Sequence, residues 1–572
     1  MIHKVEVKFF KRFLREVFYP EDIIILAGPN NSGKTTLLQA IAVWNLGVQR
    51  WKLARSEKSR AIDRTGVPLT RKDFTALPLR NMDFLWTHRD THYRKDEEVD
   101  KKAGRPKLIE VILHGKEPDD SRWVLGVSLR FNSTEQVYVK LIKEDGQSMI
   151  DVPKAVMNLQ IVHIPPFSGI GAEETRYDHA YQNLLIGQGK PGDILRNLLL
   201  EVYLRKNGDW KTLQQDIRQI FGYDLINPQY AEADPFIRIE YRDPNMPSRK
   251  AFDLASAGSG FHQVLTLLGF FYARPASVLL IDEPDAHQHF ILQRQIFDRI
   301  RSVARKRNSQ LIVSTHSEVI LEDTDPTRVL SFYAKPHRLI LDTERDQVRE
   351  ALRALTALEL LRVENGENVL YLEDESDLKI LREFSKVLDH PARTFLEEPF
   401  YHFIHGNRPQ VAKHHFFALQ AVSKNIQGVL LLDGDNKQLP DHEVATNGLE
   451  AIRWARYEIE NYLLHPECLS RFIEGAKPDL FSSASRKKGE EFLNNELPPA
   501  VLKAPLSDHD YLISTAASKS ILPQFFVTAG RPMTKKDYYQ IAASISKNEI
   551  HPEVVEKLDA IDRILNNAND SH

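Results

Sequence analysis

The sequence predicts an α/β protein in two consecutive domains, and three observations carry that expectation. A glycine-rich turn, GPNNSGKTT (28–36), follows the apolar run DIIILAG (22–28) and precedes a helical pattern. The runs SVLLIDE (277–283) and QLIVSTH (310–316) flank a helical stretch, HFILQRQIFDRIRSVARKR, and a strand–helix–strand unit of this kind implies a parallel sheet. A second series begins after residue 366, where NVLYLEDE, DLKILREFSKVL, FYHFIHG and GVLLLDGD alternate strand and helix patterns. At 572 residues the chain exceeds what one hydrophobic core usually serves.

Taken in order, IHKVEVKF (2–9) alternates as a half-buried strand does. Residues 50–105 are dense in charge with scattered Pro and Gly, and read as loops and an exposed insertion. IEVILHG, WVLGVSLRF, QVYVKLIK and LQIVHIPP, between 109 and 164, read as strands. Residues 174–222 read as a helical insertion, with DILRNLLLEVYLRK and WKTLQQDIRQIFG as its helices. ERDQVREALRALTALELLRVENG (344–366) reads as one helix and a domain boundary. The 470–510 region reads as polar loop, and the tail after 534 as helix. No heptad pattern is sustained over several repeats, which argues against long coiled-coil arms.

Hydrophobic content of 42% and charged content of 27% are those of an ordinary globular chain. With 76 basic and 79 acidic residues the net charge is −3, so any nucleic-acid surface has to be a local patch. The single cysteine, Cys468, excludes an internal disulfide and a thiolate zinc site and suits a reducing compartment. MIHKVEVKFFKRFLREVF is charged throughout, unlike a signal peptide. No apolar run has the length to cross a bilayer, so a soluble, cytoplasmic protein is expected.

GPNNSGKTT fits G-x-x-x-x-G-K-[ST] in the setting that gives the motif its meaning, between a strand and a helix. Gly28 and Gly33 let the backbone N–H groups of the loop, through Asn30, Asn31 and Ser32, close around phosphates. Lys34 would reach the β- and γ-phosphates, the Thr35 hydroxyl would hold Mg²⁺, and Thr36 continues the helix start. Asp282, at the end of a buried strand, is positioned for the same metal, and Glu283 to polarise the attacking water. His316, at the end of the next strand, could sense the γ-phosphate.

The series GPNNSGKTT, LASAGSGFHQVL, LLIDEPDAHQH and IVSTH resembles the ABC-type P-loop ATPase head of the RecF-like and SMC-like group. That resemblance implies ATP-dependent head-to-head dimerisation. Ser256 and Gly258 would cap ATP bound to a second copy, and Asp285 would lie in the loop after the catalytic Glu283. The chain has no segment of the kind that marks the transporter branch.

Carboxylates mark the ends of two apolar runs in the second half. VLYLEDESD (369–377) ends in Glu373, followed by Asp374, Glu375 and Asp377; GVLLLDGD ends in Asp433 and Asp435. In a parallel sheet such ends share one edge, where several carboxylates repel unless divalent cations neutralise them. Oxygen ligands favour Mg²⁺ or Mn²⁺. In RYEIENYLL, Glu458 and Glu460 would share a face of an extended segment. Singly, each acid has a plainer reading: charge at a helix start, a turn, or a solvated pair with Arg453 or Arg456. The histidines of HFIHGN and KHHFF read as surface or packing residues.

A glutamate ending one strand and D-x-D ending a later one resembles the Toprim pattern, with Gly406 and Asn407 in the turn of the strand between. An ABC-type ATPase head followed by Toprim resembles the OLD (overcoming lysogenization defect) family of ATP-linked nucleases. That implies an ATPase domain over 1–345, its helical insertion a candidate dimerisation element, and a Toprim nuclease domain over 366–572. It further implies metal held by Glu373, Asp377, Asp433, Asp435, Glu458 and Glu460, and a later lysine at the scissile phosphate, Lys535 or Lys536. The implied activity is cleavage of DNA rather than RNA, in phage defence or DNA maintenance, with a second defence protein as a partner. EDESD lacks the glycine that often follows the Toprim glutamate, which keeps a non-cutting ATP-driven clamp or sensor, and an RNA-cleaving effector, as alternatives.

Overall fold

The computed structural model describes residues 1–56, 66–74, 77, 79–93, 104–117, 119–167, 169–188, 190–231, 234–246, 250–274, 276–285, 290–322, 324–406, 408–435, 447–475 and 479–566. Asn407 lies outside them. The chain divides into two compact units, Met1–Leu352 and Arg353–His572.

The first unit holds two large sheets. Five parallel strands, β1 (Ile23–Ala27), β2 (Ile161–Ile164), β3 (Val278–Asp282), β4 (Gln310–Thr315) and β5 (Val329–Ser331), run in the order β5-β1-β4-β3-β2. The short strand His337–Arg338 adds antiparallel to β5. β1, β3 and β4 are buried along their whole length, which explains their unbroken apolar runs: helices and a second layer cover both faces of a parallel sheet. The second sheet is antiparallel, built from Ile2–Phe10, Phe13–Phe18, Val67–Thr70, Ile109–Lys116, Arg122–Ser133, Gln136–Ile142 and Ser148–Met149.

Helix α1 (Lys34–Ser56) joins the layers, since Leu37, Leu38, Ile41, Trp44, Val48 and Trp51 share one core with Val111, Val127 and Val139 of the antiparallel sheet and Leu280 and Ile312 of the parallel one. The loop expected from residue 50 is therefore helical as far as Ser56, because Trp51 is an anchor of that core. The segment expected to be a helical insertion contains His179–Gly187, Leu195–Leu204 and Asp209–Phe221.

In the second unit, β6 (Val369–Leu372), β7 (Phe400–Phe403), β8 (Gly428–Leu432) and β9 (Leu449–Arg453) form an all-parallel sheet in the order β7-β6-β8-β9. The single helix expected over 344–366 is two, Asp342–Ala354 and Ala357–Glu364. Thr356 breaks it as an N-cap whose capping box is closed by Glu359. The 470–510 region is largely helical, with Pro466–Glu474, Leu480–Glu496 and Pro499–Lys503. Its longest helix buries only Gly489 and Leu493 among its described positions, so no apolar stripe announces it. Among the described residues no helix is long and apolar enough to cross a membrane.

Candidate active sites

Because β1, β3 and β4 are parallel, the residues that follow them gather at one edge. After β1 the chain turns through Gly28 (φ +156°) and Gly33 (φ +115°), where an added Cβ would sit 2.8 Å from Phe332 Cβ and 2.9 Å from Phe13 Cε1. Neither position accepts a side chain. Between them Asn31 adopts φ +61°, and Arg12 donates to its carbonyl. Asn30 and Asn31 are exposed, while Ser32 and Lys34 are buried. Ser32 Oγ has no hydrogen-bond partner among the described residues, as a loop built to receive phosphate oxygens would leave it.

Lys34 Nζ folds back to donate to the carbonyls of Gly28 at 2.9 Å and Pro29 at 2.7 Å. Burial pulls its pKa down to about 8, partly offset by Glu283, Asp282 and Asp285. Thr35 Oγ1 donates to Asp282 Oδ1 at 3.0 Å, and Ser314 Oγ donates to the same oxygen. Burial raises the pKa of Asp282 against those two hydrogen bonds. Thr36, at the helix start, is half-buried.

Glu283 sits at φ +48°, a strained conformation for a side-chain-bearing residue. It is held there by N–H donation to Ser314 O (3.1 Å) and Ser314 Oγ (3.2 Å). His316 Nε2 lies 3.2 Å from Glu283 Oε1, close enough for an ion pair although the nitrogen lacks hydrogen-bond geometry to any partner among the described residues. This contact holds the Glu283 carboxyl below the usual range, against burial. The result is an ionised carboxylate beside Lys34 and the Asp282–Thr35 pair, and these groups are suited to hold Mg²⁺ and a nucleotide triphosphate and to orient a water. Asp285 turns inward instead: it is buried and accepts from Thr315 Oγ1 at 2.7 Å. Ser256 and Gly258 are exposed, at the start of the helix Ser259–Ala273, and Ser256 Oγ donates to Asp253 O at 2.7 Å. Ser314, Thr315 and Arg12 were not singled out in the sequence; the hydroxyl pair inside the otherwise apolar IVSTH is the signal that could have found the first two.

In the second unit β6 and β8 are neighbours, so Glu373 and Asp433 follow adjacent strand ends, and each carboxyl lies within electrostatic reach of the other. Asp374 caps the helix Glu375–Leu388 in a capping box with Asp377. Asp377 Oδ2 accepts from the N–H groups of Glu373 and Asp374 at 3.2 and 3.3 Å, while its buried Oδ1 has no hydrogen-bond partner among the described residues. Glu460 is fully buried, and its Oε2 has no hydrogen-bond partner among the described residues. Lys535 Nζ lies 3.0 Å from Asp374 Oδ2 and 3.3 Å from Glu460 Oε1. Burial opposes the lysine's charge, but Glu460, Asp377 and Asp374 outweigh it and hold the pKa above the ordinary value.

Several expected members are placed differently from Glu373, Asp377, Asp433 and Glu460. Glu458 and Glu460 do not share a face of an extended segment, because Ile459–Leu463 is a 3₁₀ turn; Glu458, just before it, accepts from the Ser518 N–H instead. Lys536 and Asp435 are exposed, the one on the outer side of a 3₁₀ turn, the other beyond the Gly434 turn. Glu375 pairs outward with Lys379 at 3.0 Å. Gly434 is fixed by packing: its Cβ would lie 2.2 Å from Arg456 O and 2.6 Å from Trp454 O. Gly434→Ala is expected to lower stability by about 3 kcal/mol, measurable in urea unfolding, by forcing those carbonyls away from the Asp433 turn.

The electrostatics predict a pH dependence. Burial first, then Asp377 and Glu373, pushes Asp433 up to about 10; burial pushes Glu460 up to about 7 against the pull of Lys535. Asp377 is raised by burial and by Glu460. Acids with raised pKa keep protons in the fold that the unfolded chain has lost, so their stabilisation is present below the ordinary carboxylate range and lost as pH rises through the folded values. With chelator present, Tm is expected to fall between pH 5 and pH 9; Glu460→Gln should flatten the part up to pH 8, and Mg²⁺ should restore Tm most at high pH. A Tm that rises with pH in chelator would contradict the arrangement.

Residues 114–322 match the family model described as "AAA domain, putative AbiEii toxin, Type IV TA system". This stretch is similar to ATPase domains of the AAA type. It contains Asp282, Glu283, Asp285 and His316, while the phosphate loop at 28–36 precedes it and joins it through β1. No curated protein matches the chain. Similar solved structures include the SMC head domain from Thermotoga maritima, 14% identical with a TM-score of 0.30, covering 58% of this chain and 94% of that one. A Smc head domain with an extended coiled coil, bound to the C-terminal domain of ScpA and derived from Pyrococcus furiosus, is 16% identical with a TM-score of 0.33, over 58% and 92%. An SmcHead bound to the C-winged helix domain of ScpA is 15% identical with a TM-score of 0.33, over 58% and 93%.

Proposed function

We propose that the chain is an ATP-regulated nuclease of the OLD kind, with the second unit a metal-dependent Toprim phosphodiesterase acting on DNA. The observation that carries this reading is a group of acids, the buried Asp377 and Glu460 with the half-buried Glu373 and Asp433, on a parallel-sheet edge beside Lys535. Two of its buried oxygens, Asp377 Oδ1 and Glu460 Oε2, have no hydrogen-bond partner among the described residues, a cost that a fold sustains where a cation completes the set. The donors are all carboxylate oxygens and suit Mg²⁺ or Mn²⁺. Bound there, such an ion supplies charge neutralisation and Lewis acidity at the phosphate. Lys535, kept protonated by its neighbours, stands ready to donate to a phosphate oxygen, and Asp374 fixes the direction of its ammonium group.

In the first unit Lys34, Thr35, Asp282 and Glu283 bind and hydrolyse ATP, and the exposed Ser256 and Gly258 are available to a second copy. The toxin wording of the matched family agrees with a defence role and with a partner protein. Supercoiled plasmid is incubated with the chain and Mg²⁺ or Mn²⁺, with and without ATP. Metal-dependent nicking supports the proposal, and the ATP lanes give the sign of regulation. No cutting of plasmid or of structured RNA in any metal sinks it.

One observation favours a non-cutting clamp. The tightest gatherings of possible ligand atoms among the described residues lie elsewhere, so the acid group is not drawn into a single coordination sphere. ATP turnover stimulated by DNA that stays intact in every metal is the outcome this second reading requires.

A further inference from the structure

A second side-chain cluster in the same unit, far in kind from the all-oxygen acid group, has the chemistry of a different metal. Glu359 on the helix Ala357–Glu364, His402 on β7 and His415 on the helix Pro409–Leu419 bring one ligand atom each to within 4.8 Å of the others. Glu359 Oε1 is 3.3 Å from His402 Nδ1 and 3.2 Å from His415 Nε2. Tetrahedral bonds of about 2.0–2.1 Å to zinc put neighbouring ligand atoms about 3.3 Å apart, so both separations already match one edge of such a site.

The supports around the cluster are those that orient metal ligands. His415, buried, has its other ring nitrogen, Nδ1, 2.9 Å from the hydroxyl of the fully buried Tyr371. The second oxygen of Glu359 accepts from the N–H and hydroxyl of Thr356, both at 2.8 Å. His402 stacks on His415 with ring centroids 3.8 Å apart and is the more exposed of the two, which leaves an entry path and the freedom to turn its lone pair inward.

We propose that Glu359, His402 and His415 form a Zn²⁺ site of the two-histidine, one-carboxylate class, with its fourth position open to water. Imidazole nitrogens select zinc over magnesium, so this site and the acid group take different ions. Coordination needs a bare nitrogen on each ring. His415 then carries its proton on Nδ1, donated to Tyr371, and His402 carries its own on Nε2, toward solvent. Loading staples the first helix of the unit to the outer strand and to the helix that follows it.

The full-length chain is stripped with chelator and titrated with Zn²⁺ under excess Mg²⁺, then with Co²⁺, whose visible bands are intense in a four-coordinate nitrogen–oxygen site and weak in an octahedral oxygen site. One tight Zn²⁺ equivalent and intense Co²⁺ bands are expected in the parent chain and in Asp433→Ala, and both are expected to be lost in His402→Ala. Tyr371→Phe, which removes only the orienting hydroxyl, should weaken Zn²⁺ binding by about 10- to 100-fold. His402 is partly exposed, so its variant tests the ligand without emptying the core. Equal Zn²⁺ uptake and equal Co²⁺ bands in the parent and His402→Ala, or no tight equivalent in the parent, would overturn the assignment.

Discussion

Glu283→Gln is expected to slow ATP turnover by about 10²- to 10⁴-fold, the usual worth of a positioned general base, while ATP binding stays close to that of the parent chain. The geometry separates the two effects. The groups placed for phosphates and metal are the 28–36 loop, Lys34, Thr35 and Asp282, and none of them depends on Glu283 for its position. Glu283 is instead anchored by its own backbone to Ser314 and charged through His316. The amide keeps the size of the side chain and removes the base. Binding of a fluorescent ATP analogue, set beside phosphate release, gives both numbers; equal turnover in the two proteins would remove Glu283 from the role.

Asp433→Ala is expected to reduce metal-dependent phosphodiester cleavage by about 10²-fold or more and to leave ATP turnover unchanged. Asp433 is the member of the acid group that touches most of the others electrostatically, through Glu373, Asp377 and Glu460. Asp435→Ala and Lys536→Ala are the matched controls. Both side chains are exposed, and cleavage should stay within about two-fold, the level of a change at an exposed side chain. If Asp435→Ala costs as much as Asp433→Ala, the exposed acid is a working ligand and the site is larger than the acid group.

What the sequence disclosed was whatever is written in consecutive residues. Runs buried on both faces, IIILA, VLLID, QLIVST, VLYL and GVLLL, leave no ambiguity between strand faces, and each delivers a chemical group at its end. Partnerships made across space were not legible. Nothing local separates Lys535 from Lys536; only the approach of Asp374 and Glu460 does. Glu458 and Glu460, both buried, look equivalent until a 3₁₀ turn sends one to the Ser518 N–H and the other to Lys535. The histidines of FYHFIHG and KHHFF read as packing because their carboxylate, Glu359, lies on a helix that the sequence pattern ran together with the one before it.

The bond between Thr35 and Asp282 spans 247 positions, and Gln310 clasps both the N–H and the carbonyl of Ile2 across 308. A ribosome adding about 5–20 residues per second needs roughly 10–50 s to bring Asp282 out after Thr35. Throughout that interval the nascent phosphate loop has no metal partner, and the first strand has no Gln310 to close on. If this pocket takes ATP as proposed, its metal partner exists only once synthesis has passed β3, so occupancy would report that translation has gone beyond Asp282, and a product stalled before that strand would present the glycine loop without it.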